Sequence, residues 1–162
     1  MQAVRRLRGA ASLAALVALA ACAPVTPPPK VQAPAQPPTC VAPASGDSLA
    51  GNWLSVKSEK GVAGALRTLY TLNPDGTMKY VEQIKRPRTP SQGLYETGCW
   101  SHENQTLILR TLQSNGVPVN LSDPIYTNRY RVQQVTAAEL RVLGPNGPVR
   151  ARRMSPGYRL PF

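Results

Sequence analysis

The chain is poor in the residues that most metal and catalytic sites need. Its 162 residues include one histidine, three cysteines and one phenylalanine, and 8 acidic residues stand against 19 basic ones. There is no Cys-x-x-Cys motif, and His102 alone offers no spacing for a zinc site. Neither a Gly-x-Ser-x-Gly turn nor a glycine-rich phosphate loop occurs. The sequence therefore predicts no metal, no cofactor and no catalytic activity.

Two groups of polar residues still suggest catalysis at first sight. Ser101, His102 and Glu103 are adjacent, but a serine triad needs a base and an orienting acid around an exposed nucleophile. We therefore interpret them as part of a polar turn between strands. Glu82 and Glu96 could form the carboxylate pair of a glycosidase, but their spacing does not require proximity. For these two we expect solvated charges on the wall of a sheet.

No apolar run is long enough to span a membrane. The stretch over residues 10–21, interrupted only by Ser12, is about 12 residues or about 18 Å of helix, against a hydrocarbon core of roughly 30 Å. It follows a basic segment without acidic residues, containing Arg5, Arg6 and Arg8. This order is typical of a secretory signal peptide, which we place at residues 1–21.

The apolar run ends in Leu19-Ala20-Ala21-Cys22, which resembles the lipobox of bacterial lipoproteins. The resemblance implies a diacylglyceryl thioether on Cys22, cleavage before it, and acylation by a fatty acid such as palmitate. Ala23, in place of an aspartate, is similar to the sorting signal for the outer membrane, facing the periplasm. Multiple acyl chains would anchor the protein stably. The alternative is cleavage nearby that leaves Cys22 as a free thiol.

Eight of the 17 prolines fall within residues 24–43, and this segment is almost uncharged. Such a composition favours an extended polyproline II spacer and excludes a packed core. We predict a tether over residues 22–47, which could extend to about 75 Å. Alternatively, its proline motifs are ligands of a polyproline-binding partner.

If Cys22 is lipidated, two cysteines remain for an oxidising compartment, and an even number suggests one disulfide. Cys40 and Cys99 would close a loop of about 60 residues and stabilise the domain by roughly 4 kcal/mol. The competing interpretation is a pair of free thiols or an intermolecular bridge.

Residues 48–162 have the pattern of short strands. Partial alternation of apolar and polar residues predicts strands at 67–72, 78–84 and 130–135. Further strands are predicted near 52–57, 94–101, 105–112, 138–143 and 149–153, which gives about eight. Turn residues separate them at Asn73-Pro74-Asp75-Gly76 and Pro145-Asn146-Gly147-Pro148. The fold class is therefore all-β, and the regular spacing favours an antiparallel up-and-down barrel or a sandwich.

The order of several motifs is similar to that of lipocalin-like domains. Leu49-Ala50-Gly51-Asn52-Trp53 matches Leu-x-Gly-x-Trp, and Leu-x-Pro-Asp-Gly-Thr follows at 72–77. Gly98-Cys99-Trp100 matches a later Gly-x-Trp. The resemblance implies a small barrel in which Gly51, Trp53 and Trp100 belong to a closed end. A ligand would then enter at the end opposite Trp53.

Basic residues give the remaining indication of a partner. Without the three leader arginines, the chain keeps 16 basic against 8 acidic residues. Two clusters are candidate anion-binding sites: Lys85, Arg86 and Arg88, and Arg150, Arg152 and Arg153. Because export separates the chain from nucleic acid, we expect envelope anions to be attracted instead. A merely solubilising surface is the alternative.

These patterns together predict a non-catalytic lipoprotein that binds a small apolar ligand or an envelope component. A protein-interaction module is the second hypothesis, because small exported lipocalin-like domains with one disulfide resemble bacterial inhibitors of secreted metalloproteases. A structural envelope lipoprotein without ligand is the third. The sequence does not indicate an oligomeric state.

Overall fold

A computed structural model describes residues 38–58, 64–85 and 93–160. Contacts between residues divide the chain into a unit from Met1 to Ala35 and a unit from Gln36 to Phe162, and all described residues belong to the second. The predicted leader, Cys22 and most of the tether lie outside the described residues.

Nearly all regular structure in this part of the chain is β-strand. The strands are β1 (Gly51–Lys57), β2 (Ala65–Leu72), β3 (Thr77–Lys85), β4 (Gly93–Glu103), β5 (Thr106–Ser114), β6 (Val117–Pro118), β7 (Thr127–Val135), β8 (Glu139–Gly144) and β9 (Gly147–Met154). A single 3-10 turn at Pro124–Tyr126 is the one helical element among the described residues. All eight predicted strands are present, and the two-residue β6 was not predicted.

Eight strands form a closed antiparallel barrel. Each pairs with its neighbours in the chain, β9 pairs with β1, and β5 pairs with both β4 and β7, so that the ring has no open edge. The short β6 is an excursion that pairs with β5. The predicted all-β, up-and-down barrel of about eight strands is confirmed.

Alternation along the strands separates an inner face from an outer face. Trp53, Tyr70, Trp100 and Leu107 are all at most 9 % exposed and belong to one core cluster inside the barrel. Cross-strand register extends this assignment, because Trp53 pairs with Tyr70 and Tyr70 pairs with Tyr80. The register therefore identifies which polar residues also face the interior.

The strand directions define two ends of the barrel. β1 runs from Gly51 to Lys57, so the turns at 73–76, 104–105 and 136–138 lie at the Gly51 end. β1 and β3 end at the opposite end, where the connections at 115–126 and 145–146 also lie. We call the first the closed end, because Trp53 and Trp100 are buried there, and the second the open end.

A bulge between β4 and β5 requires a glycine. The register shifts between Thr97 and Gly98, and a Cβ on Gly98 would lie 1.9 Å from the Arg110 carbonyl oxygen. The glycine thus lets the β5 backbone pass close to β4, directly beside Cys99.

After β9 the chain turns back over the outer face of the barrel. Leu160 packs with Leu54 and Leu69 in a second buried cluster, flanked by Met154 and Tyr158. Asn52 anchors the turn by donating its amide N–H to the Ser155 carbonyl oxygen at 2.9 Å. The C-terminal segment, residues 155–160, therefore forms one wall of a groove outside the barrel.

Within the described residues, no helix has the length and apolar character that crossing a membrane requires.

Candidate ligand-binding sites

The closed end is held together by Trp53 and Arg153. Trp53 is fully buried and donates its indole N–H to the Leu49 carbonyl oxygen at 2.8 Å. The Arg153 guanidinium lies 4.0 Å from the centre of the Trp53 ring and donates to the carbonyl oxygens of Ala50 and Ser48, at 2.8 and 2.7 Å. This cation–π contact and the two hydrogen bonds fix the chain where it enters β1.

Gly51 is adapted to the same contact. Its φ is +136°, and a Cβ there would lie 2.4 Å from Nη1 of Arg153. A side chain at this position would therefore displace the guanidinium, and the glycine of the predicted motif has a direct physical role.

Trp100 connects two of the motifs on which the lipocalin-like resemblance depends. Its indole N–H donates to the Asn73 carbonyl oxygen at 2.8 Å, and its backbone N–H donates to the Gly76 carbonyl oxygen at 2.8 Å. The Gly-x-Trp segment thereby holds the Asn-Pro-Asp-Gly turn against the closed end.

Cys40 and Cys99 form a disulfide, with an Sγ–Sγ distance of 2.01 Å and a Cα–Cα distance of 5.2 Å. The predicted pairing is confirmed. Residues just after Cys40 pack on the β2–β3 turn, since a Cβ on Gly76 would lie 2.1 Å from the Val41 carbonyl oxygen. The disulfide thus attaches the end of the predicted tether to β4.

The six basic residues predicted as anion sites do not form one surface in the described part of the chain. Arg150 and Arg152 are exposed on β9, where Arg150 and Arg141 both form ion pairs with Glu139. Arg153 faces the opposite way and is committed to the closed end. Lys85 ends β3, but its side chain and residues Arg86 and Arg88 lie outside the described residues.

Ser101 and His102 are not brought together as a nucleophile and base. The Ser101 hydroxyl donates to the Glu103 carboxylate at 3.0 Å, whereas His102 Nδ1 lies 2.9 Å from Oδ2 of Asp47. Asp47 also accepts the Leu49 backbone N–H, so the histidine helps hold the segment before β1. No group of three metal-ligating side chains occurs within the described residues.

Polar side chains collect in the half of the barrel interior toward the open end, and we call them the interior polar cluster. It comprises Ser55, Thr68, Tyr70, Tyr80, Glu82, Glu96, Thr111 and Tyr130. The expectation that Glu82 and Glu96 lie on the solvated wall is corrected, because the register gives both the same face as Tyr80. The spacing in the sequence does not reveal that these two carboxylates face inward, because their direction depends on how β2, β3 and β4 pair.

The side chains of the interior polar cluster form hydrogen bonds with one another. Tyr80 donates its hydroxyl to Glu82 at 2.6 Å, and Thr111 donates to Glu96 at 3.1 Å. Burial raises the pKa of the Glu96 carboxyl, and the hydrogen bond from Thr111 opposes this. Burial also raises the pKa of Tyr70, Tyr80 and Tyr130, so these hydroxyls stay neutral at physiological pH and can donate.

A groove of about 730 Å³ lies on the outside of the barrel, which we call the outer groove. Its walls are the outer faces of β2 and β3 and the C-terminal segment, and it continues to Tyr95 on β4. Apolar side chains form most of its surface, among them Leu69, Val81, Tyr95, Met154, Tyr158 and Leu160. Pockets for small molecules typically have about 300–1,000 Å³, and this groove falls in that range.

Comparison with protein-family models gives no match for this chain, and comparison with curated proteins gives no significant match. The two candidate sites are therefore interpreted from their own chemistry.

Proposed function

We propose that the protein is a lipid-anchored lipoprotein of the bacterial envelope whose barrel binds a small apolar molecule in the outer groove. The observation that supports this most directly is the groove itself, about 730 Å³ with mostly apolar walls. Covering an apolar surface with an apolar ligand removes it from water, and this is favourable by about 25 cal/mol per Å² of buried surface. The barrel serves as the rigid scaffold.

The position of the groove favours an apolar ligand here over one inside the barrel. Leu69 and Val81 face outward on paired strands, and Leu160 returns from the C-terminal segment to meet them. Inside the barrel, by contrast, the half toward the open end contains two carboxylates and three tyrosines. An apolar molecule there would have to desolvate those groups, which is unfavourable.

The anchor part of the proposal depends on Cys22 and its lipobox. Lipidation there would hold the barrel at the membrane, and the proline-rich tether would separate the two. The disulfide at Cys40 would then limit the free tether to residues 22–40.

The groove is tested by filling it. Thr71 lies on the groove wall, and we expect Thr71→Trp to weaken binding of the neutral probe N-phenyl-1-naphthylamine by about tenfold, because the indole occupies the ligand's volume. Probe fluorescence measures the affinity. Thr127→Trp, on β7 away from the groove, is the matched control and should bind like the wild type. Absence of probe binding by the wild type, or equal loss in both variants, would contradict the proposal.

The anchor is tested in the full-length protein in bacterial cells. We expect labelled palmitate to be incorporated into the wild type and into Cys40→Ala, and Cys22→Ala to abolish incorporation, since the thioether on Cys22 precedes acylation. Labelling is read after immunoprecipitation. Label that persists in Cys22→Ala would show that the lipobox assignment is wrong.

A further inference from the structure

We propose that the outer groove selects a single-chain amphiphile with a negatively charged head group, whose apolar chain lies in the groove and whose head group lies beside Lys79 and Arg159. The assignment rests on the proposed function, because it concerns the same groove, and it adds the charge that the ligand carries. It depends on which side chains line the groove and on how the strands order them.

The outer faces of three paired strands give the groove an apolar row and a polar row. In the apolar row, Leu69 on β2 pairs with Val81 on β3, which pairs with Tyr95 on β4. In the next row toward the closed end, Thr71 pairs with Lys79, and all five residues line the groove. Residues two positions apart on a strand face the same way and are about 6–7 Å apart. An apolar chain on the first row would therefore have its end group within reach of the Lys79 ammonium.

The C-terminal segment brings a second cation to the groove. The chain turns at residues 155–158, where Pro156 is followed by Gly157 with a φ of +76°, the combination that a tight turn of this kind favours. Beyond the turn, Leu160 is buried against the barrel, whereas Arg159 is exposed and lines the groove. The segment that forms one wall of the groove therefore also supplies a guanidinium to it.

Within the part of the chain that the structure describes, the charge on the groove walls is entirely positive. Lys79, Arg153 and Arg159 line the groove, and no acidic residue does. Arg153 already donates to two carbonyl oxygens at the closed end, so it contributes its charge and not a free donor. Lys79 and Arg159 form no ion pair with a described residue, and Asp75 in the β2–β3 turn accepts its hydrogen bonds from Thr77 instead. Two cations are therefore available to a ligand.

An apolar surface beside two available cations favours a ligand that has both parts. Covering the apolar row with an alkyl chain is favourable in proportion to the area removed from water. Lys79 and Arg159 are exposed, so a carboxylate or phosphate beside them keeps contact with water and is only partly desolvated. Charge-assisted hydrogen bonds from the two side chains would offset that cost. A neutral head group would gain less, and a cationic one would be repelled.

The test uses ligands of one chain length and different charge: octanoate, octanol and octylammonium. Each is titrated at pH 7 and low salt into the oxidised full-length chain carrying Cys22→Ala, which removes the acylation site and with it the need for a detergent that would compete for the groove. Methyl NMR reads binding, because Met154 lines the groove, whereas Met78 belongs to the core inside the barrel and should not shift. We expect octanoate to bind about fivefold more tightly than octanol, and octylammonium to bind more weakly than either. Octanol or octylammonium binding as tightly as octanoate would overturn the proposal.

Salt and a second anion separate the effect of charge from that of the chain. An ionic strength of about 0.5 M screens exposed charges, so it should reduce the preference for octanoate over octanol to about twofold or less. Octyl phosphate carries the other common anionic head group of lipids, and it should also bind more tightly than octanol. Whichever anion binds more tightly identifies the head group. A preference for octanoate that salt leaves unchanged would contradict an electrostatic origin.

Substitutions locate the head group. Lys79→Gln and Arg159→Gln should each weaken octanoate binding about threefold and together about tenfold, and they should leave octanol binding unchanged. Lys79→Arg keeps the charge and should bind octanoate like the wild type. The matched control is Arg129→Gln with Arg131→Gln, which removes the same net charge from exposed positions on β7. Wild-type affinity for octanoate in the groove double variant, or an equal loss in the control, would overturn the assignment.

The same samples separate this proposal from the proposed function. Thr71→Trp fills the groove and should weaken the binding of octanoate and octanol alike. If N-phenyl-1-naphthylamine and octanol bind the wild type and are weakened by Thr71→Trp, but octanoate has no advantage over octanol, the groove is an apolar site and only the assignment of charge fails. If neither the probe nor octanol binds, the proposed function fails and the assignment fails with it.

Discussion

Trp53→Ala should lower the free energy of unfolding by about 3–5 kcal/mol, measured by urea denaturation of the oxidised protein. Trp53 has no exposed surface and belongs to the largest core cluster. Removing the indole leaves a cavity at the closed end, where the chain before β1 and strand β9 both contact it. Because domains of this size have total stabilities of about 5–15 kcal/mol, the loss would be a large fraction of the whole.

Two polar groups make the loss greater than cavity formation alone. The Leu49 carbonyl oxygen loses the indole N–H, and the Arg153 guanidinium loses the ring on which it lies. Trp53→Phe keeps an aromatic ring under the guanidinium and loses the hydrogen bond, so its effect should be intermediate.

An exposed apolar residue provides the control for this prediction. Val117 is 65 % exposed, and Val117→Ala should change stability by no more than about 0.5 kcal/mol. An effect of Trp53→Ala as small as that of Val117→Ala would show that the closed end is not held by the indole.

The strands could be predicted from sequence because their signals are local. Alternation along segments such as 78–84 and the Asn-Pro-Asp-Gly turn depend only on neighbouring residues. The barrel then follows from eight short strands that must pair in order without open edges. The two-residue β6 has too few residues to show any period.

The candidate sites depend on the register of the strands and on the return of the C-terminal segment to the barrel. No local sequence pattern encodes either feature. A shift of one residue between β2 and β3 would turn Glu82 to the outside, so its inward position follows only from the pairing of Thr68 with Glu82. Likewise, Arg153 follows two other arginines in the chain, but strand alternation turns it toward Trp53. The outer groove exists because Leu160 returns to Leu69, and the sequence between them gives no sign of that contact.

Replacing both disulfide cysteines, Cys40→Ser with Cys99→Ser, should lower the free energy of unfolding by about 4 kcal/mol. The bridge joins residues separated by 59 positions, and in the chain-entropy model a loop of this length restricts the unfolded chain by about that amount. The folded state should lose local order as well. Residues after Cys40 pack on the β2–β3 turn beside Gly76, and without the bridge this packing and the His102–Asp47 contact remain to hold the segment.

Reductant gives this prediction an internal control, because it acts on the bond and not on the serine side chains. Dithiothreitol should lower the urea midpoint of the wild type to that of the double variant, and it should leave the double variant unchanged. Hydrogen exchange at residues 41–47 should increase in both reduced and double-variant protein, while exchange in the β7–β8 pair changes only with global stability. A double variant as stable as the wild type would mean that the closed end holds the segment before β1 without the bridge, through Arg153 and the His102–Asp47 contact.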